Sequence, residues 1–172
     1  RVGGSQVGDN RTTAVLQSNG TYKLYGEKWF CSNPGEVWVT TARIEGTDRI
    51  GMFLVSRLKK DGTVNDFKLV RKKDIIGSRG KLTAELYYEG TEAETIGRLS
   101  HGLANMMRYI IKISRMHVAV AAMGMARRAV FEAITYCNQR TVFGKPVIAQ
   151  HTAMTKLLEI DLRSTAATFC GF

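Results

Sequence analysis

The chain has 172 residues, 44% of them hydrophobic, and a formal net charge of +10. This composition excludes an intrinsically disordered chain and indicates about one globular domain, or two small ones. No apolar run reaches about 18 residues and no signal-peptide pattern opens the sequence, so we predict neither a membrane span nor a signal peptide. Because the sequence starts at Arg1 within a glycine-rich motif and ends within a helical pattern, we expect a fragment of a longer protein.

The first part of the chain has the pattern of short strands. Residues 1–10 have the composition of a loop, with glycines on both sides of Ser5. Over residues 12–32 apolar and polar residues alternate, and Asn19-Gly20 is a typical hairpin turn between two strands. Further short segments of this kind, separated by turn residues, cover residues 36–42, 50–56, 67–70 and 81–88. This spacing predicts an antiparallel barrel or sandwich.

At about Ser100 the hydrophobic period changes to that of a helix. Apolar residues recur three and four positions apart over residues 102–139, which predicts one long amphipathic helix. Its length favours membership of a helical bundle. Residues 141–148 form a connector with a glycine and a proline, and we predict a second helix from about Gln150.

The change of period divides the chain into two predicted domains of the α+β class. Residues 1–98 are expected to form an antiparallel β-barrel or sandwich, and residues 99–172 the first helices of an up-down helical bundle. Basic residues exceed acidic ones in both parts, 16 to 12 and 9 to 3. One interpretation of this excess is a polyanionic partner: nucleic acid, an acidic surface or a phosphate-bearing ligand. Because no dense basic tract is present, a small phosphorylated ligand or acidic regions elsewhere in the parent protein explain it as well as nucleic acid does.

The cysteines and histidines show neither a disulfide framework nor metal-ligand spacing. Each type occurs three times, widely spaced: Cys31, Cys137 and Cys170, and His101, His117 and His151. No Cys-x-x-Cys pair is present, so a zinc site is not expected. Unpaired cysteines favour a reducing compartment inside the cell, either the cytoplasm or the mitochondrial matrix.

Four positions carry side chains suited to binding, and each also has a purely structural interpretation. The glycine-rich loop around Ser5 either cradles a phosphate or is a flexible loop. Trp29 ends a strand three residues before a hydroxyl, which suits contact with a planar ring or a place in the sheet core. Arg140 follows the long helix, where it either interacts with the helix dipole or binds a pyrophosphate. Arg115 lies in mid-helix, where an arginine is usually solvated.

In register, these segments resemble the acyl-CoA dehydrogenase family over nearly the whole chain. The matching motifs are Gly4-Ser5-Gln6, the strand Tyr22–Trp29, Ile76–Gly80 followed by Ala84-Glu85-Leu86, and Arg140–Pro146. The adaptive-response (alkylation-induced) flavoproteins are the subgroup that the chain resembles most. That similarity rests on Lys28–Ser32 and on Met-x-Arg-Arg-Ala at residues 125–129.

The resemblance implies a β-barrel between two helical bundles, FAD at the boundary of barrel and bundle, and a homotetramer. It places Ser5 beside the flavin pyrophosphate and the acyl-CoA, and it packs Trp29 on the isoalloxazine. Cys31 or Ser32 would present an N–H or hydroxyl group to flavin N5 and O4. The family normally has Thr or Ser where Cys31 falls, so Ser32 is expected to take over.

The same resemblance assigns roles to the helical part. Arg140, with Phe143 and Gln150, would reach the FAD of a neighbouring subunit, and Arg115 would lie near the CoA portion of the substrate. The α-proton abstraction of the family needs a glutamate, but Ser114 stands where some branches have it. We therefore expect no catalytic residue within the chain and the base glutamate outside it.

Three further positions depart from the family pattern: Gln6 replaces the usual Asp, Lys112 stands where many members have Asp, and Val142 replaces a frequent Thr. The implied reaction is the FAD-dependent α,β-dehydrogenation of an acyl-CoA thioester, in which hydrogen bonds to the thioester carbonyl stabilise enolate charge and the flavin performs the redox step. An electron-acceptor protein is a further expected partner. The alternatives are a flavin-containing nucleic-acid-binding protein of the adaptive-response type with weak or no dehydrogenase activity, and an acyl-CoA oxidase.

Overall fold

In the computed structural model, which describes residues 7–171, the alternating segments of the sequence form strands. A 3₁₀ turn, Val7–Asp9, precedes them. The strands are β1 Thr13–Leu16, β2 Tyr22–Ser32, β3 Val37–Ile44, β4 Ile50–Ser56, β5 Phe67–Lys72 and β6 Thr83–Thr95. The predicted hairpin turn joins β1 to β2, with Gly20 at φ 80°. The predicted α+β class is confirmed.

The strands close into a barrel. Their order in the sheet is β2-β1-β3-β4-β6-β5, and a further pairing of β2 with β6 completes the ring. All neighbours pair antiparallel except β1 and β3, which are parallel. The prediction of an antiparallel barrel therefore holds for every pair but this one. The exception arises because the chain passes through β2 before β3 returns to the free side of β1.

Strand β6 is longer than predicted because a bulge conceals its second half. The alternating pattern was expected to stop at Tyr88, but the strand continues to Thr95. Its register with β2 shifts between Glu89 and Thr91, and the intervening Gly90 has φ 96°. A bulge residue with positive φ interrupts the period of two without ending the strand.

The barrel encloses the hydrophobic core of the first unit. Phe53, Leu24, Leu86 and Tyr88 are fully buried there. Their neighbours in the core are Ala14, Tyr22, Cys31, Trp38, Ala42, Val55, Ala84 and Ala93. The indole N–H of Trp38 donates a hydrogen bond to the Tyr88 hydroxyl at 3.1 Å, so the buried polar atoms of both rings are paired.

The first unit extends to Ile110 and the second begins at Ile111. In the first unit, a short helix, α1 Gly102–Asn105, packs on β4. The π-helical turn Met106–Ile111 follows and contains the boundary between the units. The sequence predicts one regular helix over residues 102–139, and this turn interrupts it. The division into domains at residues 98 and 99 stays a prediction.

The second unit consists of two helices, α2 Lys112–Gln139 and α3 His151–Gly171, joined by a small hairpin. The second predicted helix is thus present. The helices pack on each other, and Gly171 leaves room for the side chain of Met123. Along α2 and α3, Val130 alone is buried. None of the helices within residues 7–171 combines the length and apolarity needed to cross a bilayer.

Candidate functional site

A β-bulge shapes the end of β2 where the sequence predicts a cofactor contact. Lys28 pairs with Leu86 and Cys31 with Ala84, so two aromatic residues, Trp29 and Phe30, lie opposite one residue of β6. The Trp29 ring is half-buried and the Phe30 side chain is 43% exposed. The rings meet edge to face, with centroids 6.1 Å apart. The bulge therefore places two successive aromatic rings on one surface of the barrel.

A lysine lies over both rings. The Lys73 ammonium nitrogen is 3.3 Å from the centroid of the Trp29 ring and 4.4 Å from that of Phe30. The same nitrogen lies 2.6 Å from a carboxylate oxygen of Glu85. The Lys73 and Glu85 side chains are only 10% and 2% exposed. A cation at this distance over aromatic faces is attracted by the negative face of each ring.

Glu85 also binds a second cation. The Arg71 guanidinium donates to the same carboxylate oxygen at 2.8 Å, and its central carbon lies 5.4 Å from the Trp29 centroid. Burial opposes ionisation of Glu85, but the hydrogen bonds from Lys73 and Arg71 outweigh it, so the pKa of Glu85 lies below its ordinary value. Lys73 and Arg71 therefore share the buried carboxylate of Glu85, next to the aromatic pair.

The predicted cofactor residue Cys31 points into the barrel core. Its side chain is 2% exposed, and burial raises the pKa of the thiol to about 11. On the same inner side, Lys28 donates to the carbonyl and hydroxyl oxygens of Thr41 at 3.4 and 3.2 Å, and burial lowers its pKa to about 8. The Cys31 thiol faces away from the surface that carries Phe30, so it cannot contact a ligand there.

Ser32, in contrast, is exposed at the end of β2. The N–H of Asn33 donates to Leu82 at 2.7 Å, which makes Ser32 and Thr83 a pair without ladder hydrogen bonds and turns the Ser32 N–H away from β6. Strand β1 pairs with β2 only over residues 22–25. Both polar groups of Ser32 that the resemblance invokes, the hydroxyl and the N–H, are therefore directed away from the β2–β6 ladder.

The structure brings three other predicted residues together in the second unit. The strands β7 Thr141–Val142 and β8 Lys145–Pro146 form a hairpin whose turn residues, Phe143 and Gly144, have φ 54° and 74°. Positive φ at both positions is the pattern of a type I′ turn. The Gln150 side chain donates to the Val142 carbonyl at 3.2 Å.

This hairpin starts directly at Arg140. The Val147 N–H donates to the Arg140 carbonyl at 2.7 Å, and the Arg140 side chain is exposed. Phe143 at the tip is 93% exposed. A cation and an aromatic ring are thus presented on one small hairpin, with Gln150 bracing its backbone.

Two predicted site residues remain, Ser5 and Arg115. Ser5, with Gln6, lies outside the described residues. Arg115 is exposed on α2, 25 positions before Arg140, which corresponds to about 37 Å along a helix axis. Within residues 7–171, no group of three or more His, Cys, Asp or Glu side chains is arranged to hold a metal ion.

Sequence reasoning missed four residues of the bulge cluster: Phe30, Arg71, Lys73 and Glu85. The alternation Ala84-Glu85-Leu86 indicates only that Glu85 faces away from the core, so nothing in the sequence indicated its burial in an ion pair. The pairing with β5 could not be read from the sequence, because it depends on a register shift that brings Arg71 opposite Glu85.

Residues 100–170 match the family model described as "Acyl-CoA dehydrogenase, C-terminal domain". Over 96% of its length the chain is 35% identical to "Acyl-CoA dehydrogenase family member 11" of Caenorhabditis elegans, and it spans 28% of that protein. Over 87% of its length it is 34% identical to "Putative acyl-CoA dehydrogenase AidB" of Escherichia coli, of which it spans 27%. The chain is related to the acyl-CoA dehydrogenase family.

Solved structures extend this relation to acyl-CoA dehydrogenases with bound ligands. The chain superimposes on C. elegans ACDH-11 in complex with C11-CoA with a TM-score of 0.83, at 33% identity, covering 98% of this chain and 31% of that one. For the acyl-CoA dehydrogenase of Bacillus anthracis complexed with FAD the TM-score is 0.82, at 26% identity, covering 96% of this chain and 28% of that one. The comparisons cover both the barrel and the helices.

Proposed function

We propose that the protein containing this chain is an FAD-dependent acyl-CoA dehydrogenase that introduces an α,β double bond into an acyl-CoA thioester. The observation that carries this proposal is the outer face at the end of β2, where the exposed ring of Phe30 and the half-buried ring of Trp29 adjoin the outward polar groups of Ser32. A flat aromatic surface beside hydrogen-bond donors suits a heterocycle whose faces are apolar and whose edge is polar. The similarity to acyl-CoA dehydrogenases of both halves of the chain supports it.

The residues present fit FAD. At the end of β2, Trp29 and Phe30 offer ring contacts, and Ser32 offers a hydroxyl and an N–H for the edge of the isoalloxazine. On the hairpin, the exposed guanidinium of Arg140 can form paired hydrogen bonds with a pyrophosphate. When bound, FAD supplies a hydride acceptor. Phe143 and Gln150 are proposed to support the same contact, on a neighbouring subunit of a homotetramer.

The substrate proposal assigns the chain a role in binding and not in proton removal. Arg115 and Ser5 are proposed to bind the CoA portion, since a guanidinium and a loop with a hydroxyl suit phosphate groups. The base glutamate is proposed to lie outside the chain. An electron-acceptor protein that reoxidises the flavin, and a location in the cytoplasm or mitochondrial matrix, complete the proposal.

A comparison of two serine variants tests the proposal in the full-length protein. Anaerobic addition of acyl-CoA should bleach the flavin absorbance at about 450 nm. Ser32→Ala should slow this reduction by about tenfold or more, because it removes a preorganised donor, whereas Ser56→Ala, at the exposed end of β4, should not. A purified protein without flavin absorbance, or equal rates for both variants, would contradict the proposal.

A second candidate is a nucleic-acid-binding flavoprotein of the adaptive-response type. The net charge of +10 and the 34% identity to the E. coli protein named AidB favour it. Binding of duplex DNA should then weaken steeply as salt increases, because phosphate contacts release counterions. A flat titration, or one that salt does not change, excludes this candidate.

A further inference from the structure

We propose that Lys73 is a positioning residue for the flavin-facing end of β2. Held by buried Glu85, its ammonium group fixes the rings of Trp29 and Phe30 at the bulge, the two rings that are proposed to contact the flavin. This inference rests on the proposed function and adds a residue that the family resemblance did not supply. Its basis is the set of contacts that Lys73 makes.

The bulge needs such a contact because the sheet does not specify its conformation. At positions 29 and 30 the regular pairing of β2 with β6 is interrupted, and the ladder resumes at Cys31. Bulged residues have more conformational freedom than ladder residues, so side-chain contacts determine where their rings point. The ammonium of Lys73 touches both rings, at 3.3 and 4.4 Å from their centroids.

Lys73 is itself held from two sides. Its N–H donates to the Thr83 carbonyl at 2.8 Å, so its backbone is fixed beside β6. Its ammonium lies 2.6 Å from Glu85, in a position where only 10% of the side chain is exposed. Burying an ammonium group is costly without a partner, and Glu85 together with the two ring faces supplies one.

Arg71 does not replace Lys73 in this role. Its side chain is 57% exposed, and its guanidinium lies farther from Trp29, at 5.4 Å. Arg71 does, however, keep Glu85 paired when Lys73 is substituted. Loss of the Lys73 charge therefore leaves no unpaired buried carboxylate, which makes the contribution of Lys73 to the rings separately measurable.

The test uses the full-length protein, stripped of flavin and titrated with FAD while flavin fluorescence is followed. Lys73→Met keeps the length and apolar contact of the side chain but removes the charge, and it should weaken FAD binding about tenfold. Lys73→Arg should restore the affinity to within about threefold of the wild type. Lys68→Met, on β5, which ends one residue before Lys73, removes an exposed ion pair to Glu89 and should not change it.

A change in the flavin spectrum separates positioning from general stability. Bound FAD in Lys73→Met should show an altered band shape at about 450 nm, because the groups around the ring have moved, while Lys68→Met keeps the wild-type band. If Lys73→Met does not fold, Lys73→Gln carries the same expectation. Unchanged affinity and spectrum in the neutral variants, or equal losses in Lys68→Met, would overturn the proposal.

The outcome also distinguishes this inference from the proposed function. If the wild type binds FAD but the Lys73 variants do so equally well, only the positioning role fails. If the wild type binds no FAD, the proposed function fails, and urea unfolding still tests the contact. Lys73→Met should then lower the unfolding midpoint less in a Trp29→Leu background than in the wild type, and equal shifts would show that Lys73 does not hold the ring.

Discussion

The two units of the chain bury their apolar residues to very different extents. The barrel encloses a core of large side chains, including Phe53 and Leu86, that are fully buried. In the helical unit Val130 alone is buried in α2 and α3, and large apolar side chains such as Phe131 (60% exposed) and Phe169 (81% exposed) remain at the surface. A closed barrel buries its inner face within one sheet, whereas two helices cover only the stripe between them.

This difference indicates where each unit obtains its stability. The barrel has its own core, while the apolar faces of α2 and α3 are not covered within their unit. Helix faces that expose several large apolar side chains are typical of surfaces that other elements cover. The chain also spans less than half of the relatives with which it was compared. The same type of substitution should therefore lower the free energy of unfolding by different amounts in the two units.

The largest expected difference is between two phenylalanines. In the 172-residue chain, Phe53→Ala should lower the free energy of unfolding by about 3–5 kcal/mol, because it leaves a cavity in the barrel core. Phe131→Ala, on the exposed face of α2, should change it by less than about 0.5 kcal/mol. Urea denaturation measures both. A large loss in Phe131→Ala would mean that another molecule covers this face in solution.

A pair of helical glycines sharpens the same comparison. A Cβ atom at Gly102 would clash with the carbonyl oxygen of Ile50 and lie 2.5 Å from the Gly51 carbonyl carbon, so Gly102→Ala should cost about 1–3 kcal/mol. At Gly124 on α2, a Cβ meets no atom within 4 Å, and Gly124→Ala should stabilise the helix by up to about 1 kcal/mol. Thermal unfolding checks both signs, and stabilisation by Gly102→Ala would contradict the packing of α1 on β4.

Much of the fold could be predicted from the sequence because each element has its own local pattern. The apolar run of β4 and the turn at Asn19-Gly20 specify their structures independently of the remaining chain. The second half of β6 could not be predicted, because the bulge at Gly90 interrupts the alternation. The π-helical turn at residues 106–111 was missed for a related reason, since its side chains fit a helical pattern equally well.

The candidate site was predictable only in part, since contacts between distant strands depend on register. Ser32 and the hairpin residues were identified from motifs that are continuous in sequence. The meeting of Lys73 with Trp29 follows from two bulges and could not be predicted without the strand register. The inward direction of Cys31 was likewise concealed, because the bulge shifts the alternation by one residue.

The buried Lys28 and Cys31 predict an unusual pH dependence for the barrel. Burial lowers the pKa of Lys28 from 10.5 to about 8, so between these values the unfolded chain binds a proton that the folded chain has lost. Stability therefore rises with pH, by about 1 kcal/mol between pH 8 and 9. Burial raises the pKa of Cys31 from 9.0 to about 11, so between these values the folded chain keeps a proton that the unfolded chain has lost. The contribution of Cys31 to the free energy of unfolding therefore falls as the pH rises from 9 to 11. Unfolding free energies measured from pH 7 to 10.5 should rise first and then level off.

Variants separate the two contributions to this profile. Lys28→Met should abolish the rise in stability above pH 8, because it removes the ammonium group whose lowered pKa produces that rise. Cys31→Ala should extend the rise towards pH 10.5, whatever its effect on overall stability. A wild-type profile that falls steadily from pH 8 would show that Lys28 keeps its ordinary pKa in the folded barrel.

The smallest effect is expected where the two units share one backbone conformation. Asn33 in the barrel and Phe143 in the hairpin both have φ 54°, a region that asparagine tolerates and phenylalanine disfavours. Phe143→Asn should therefore raise the free energy of unfolding by about 0.5–1 kcal/mol, and Asn33→Phe should lower it by a similar amount. If Phe143 is retained for binding, the stabilised Phe143→Asn variant of the full-length protein should bind FAD more weakly. A variant that gains stability and keeps its FAD affinity would show that the Phe143 ring does not contribute to FAD binding.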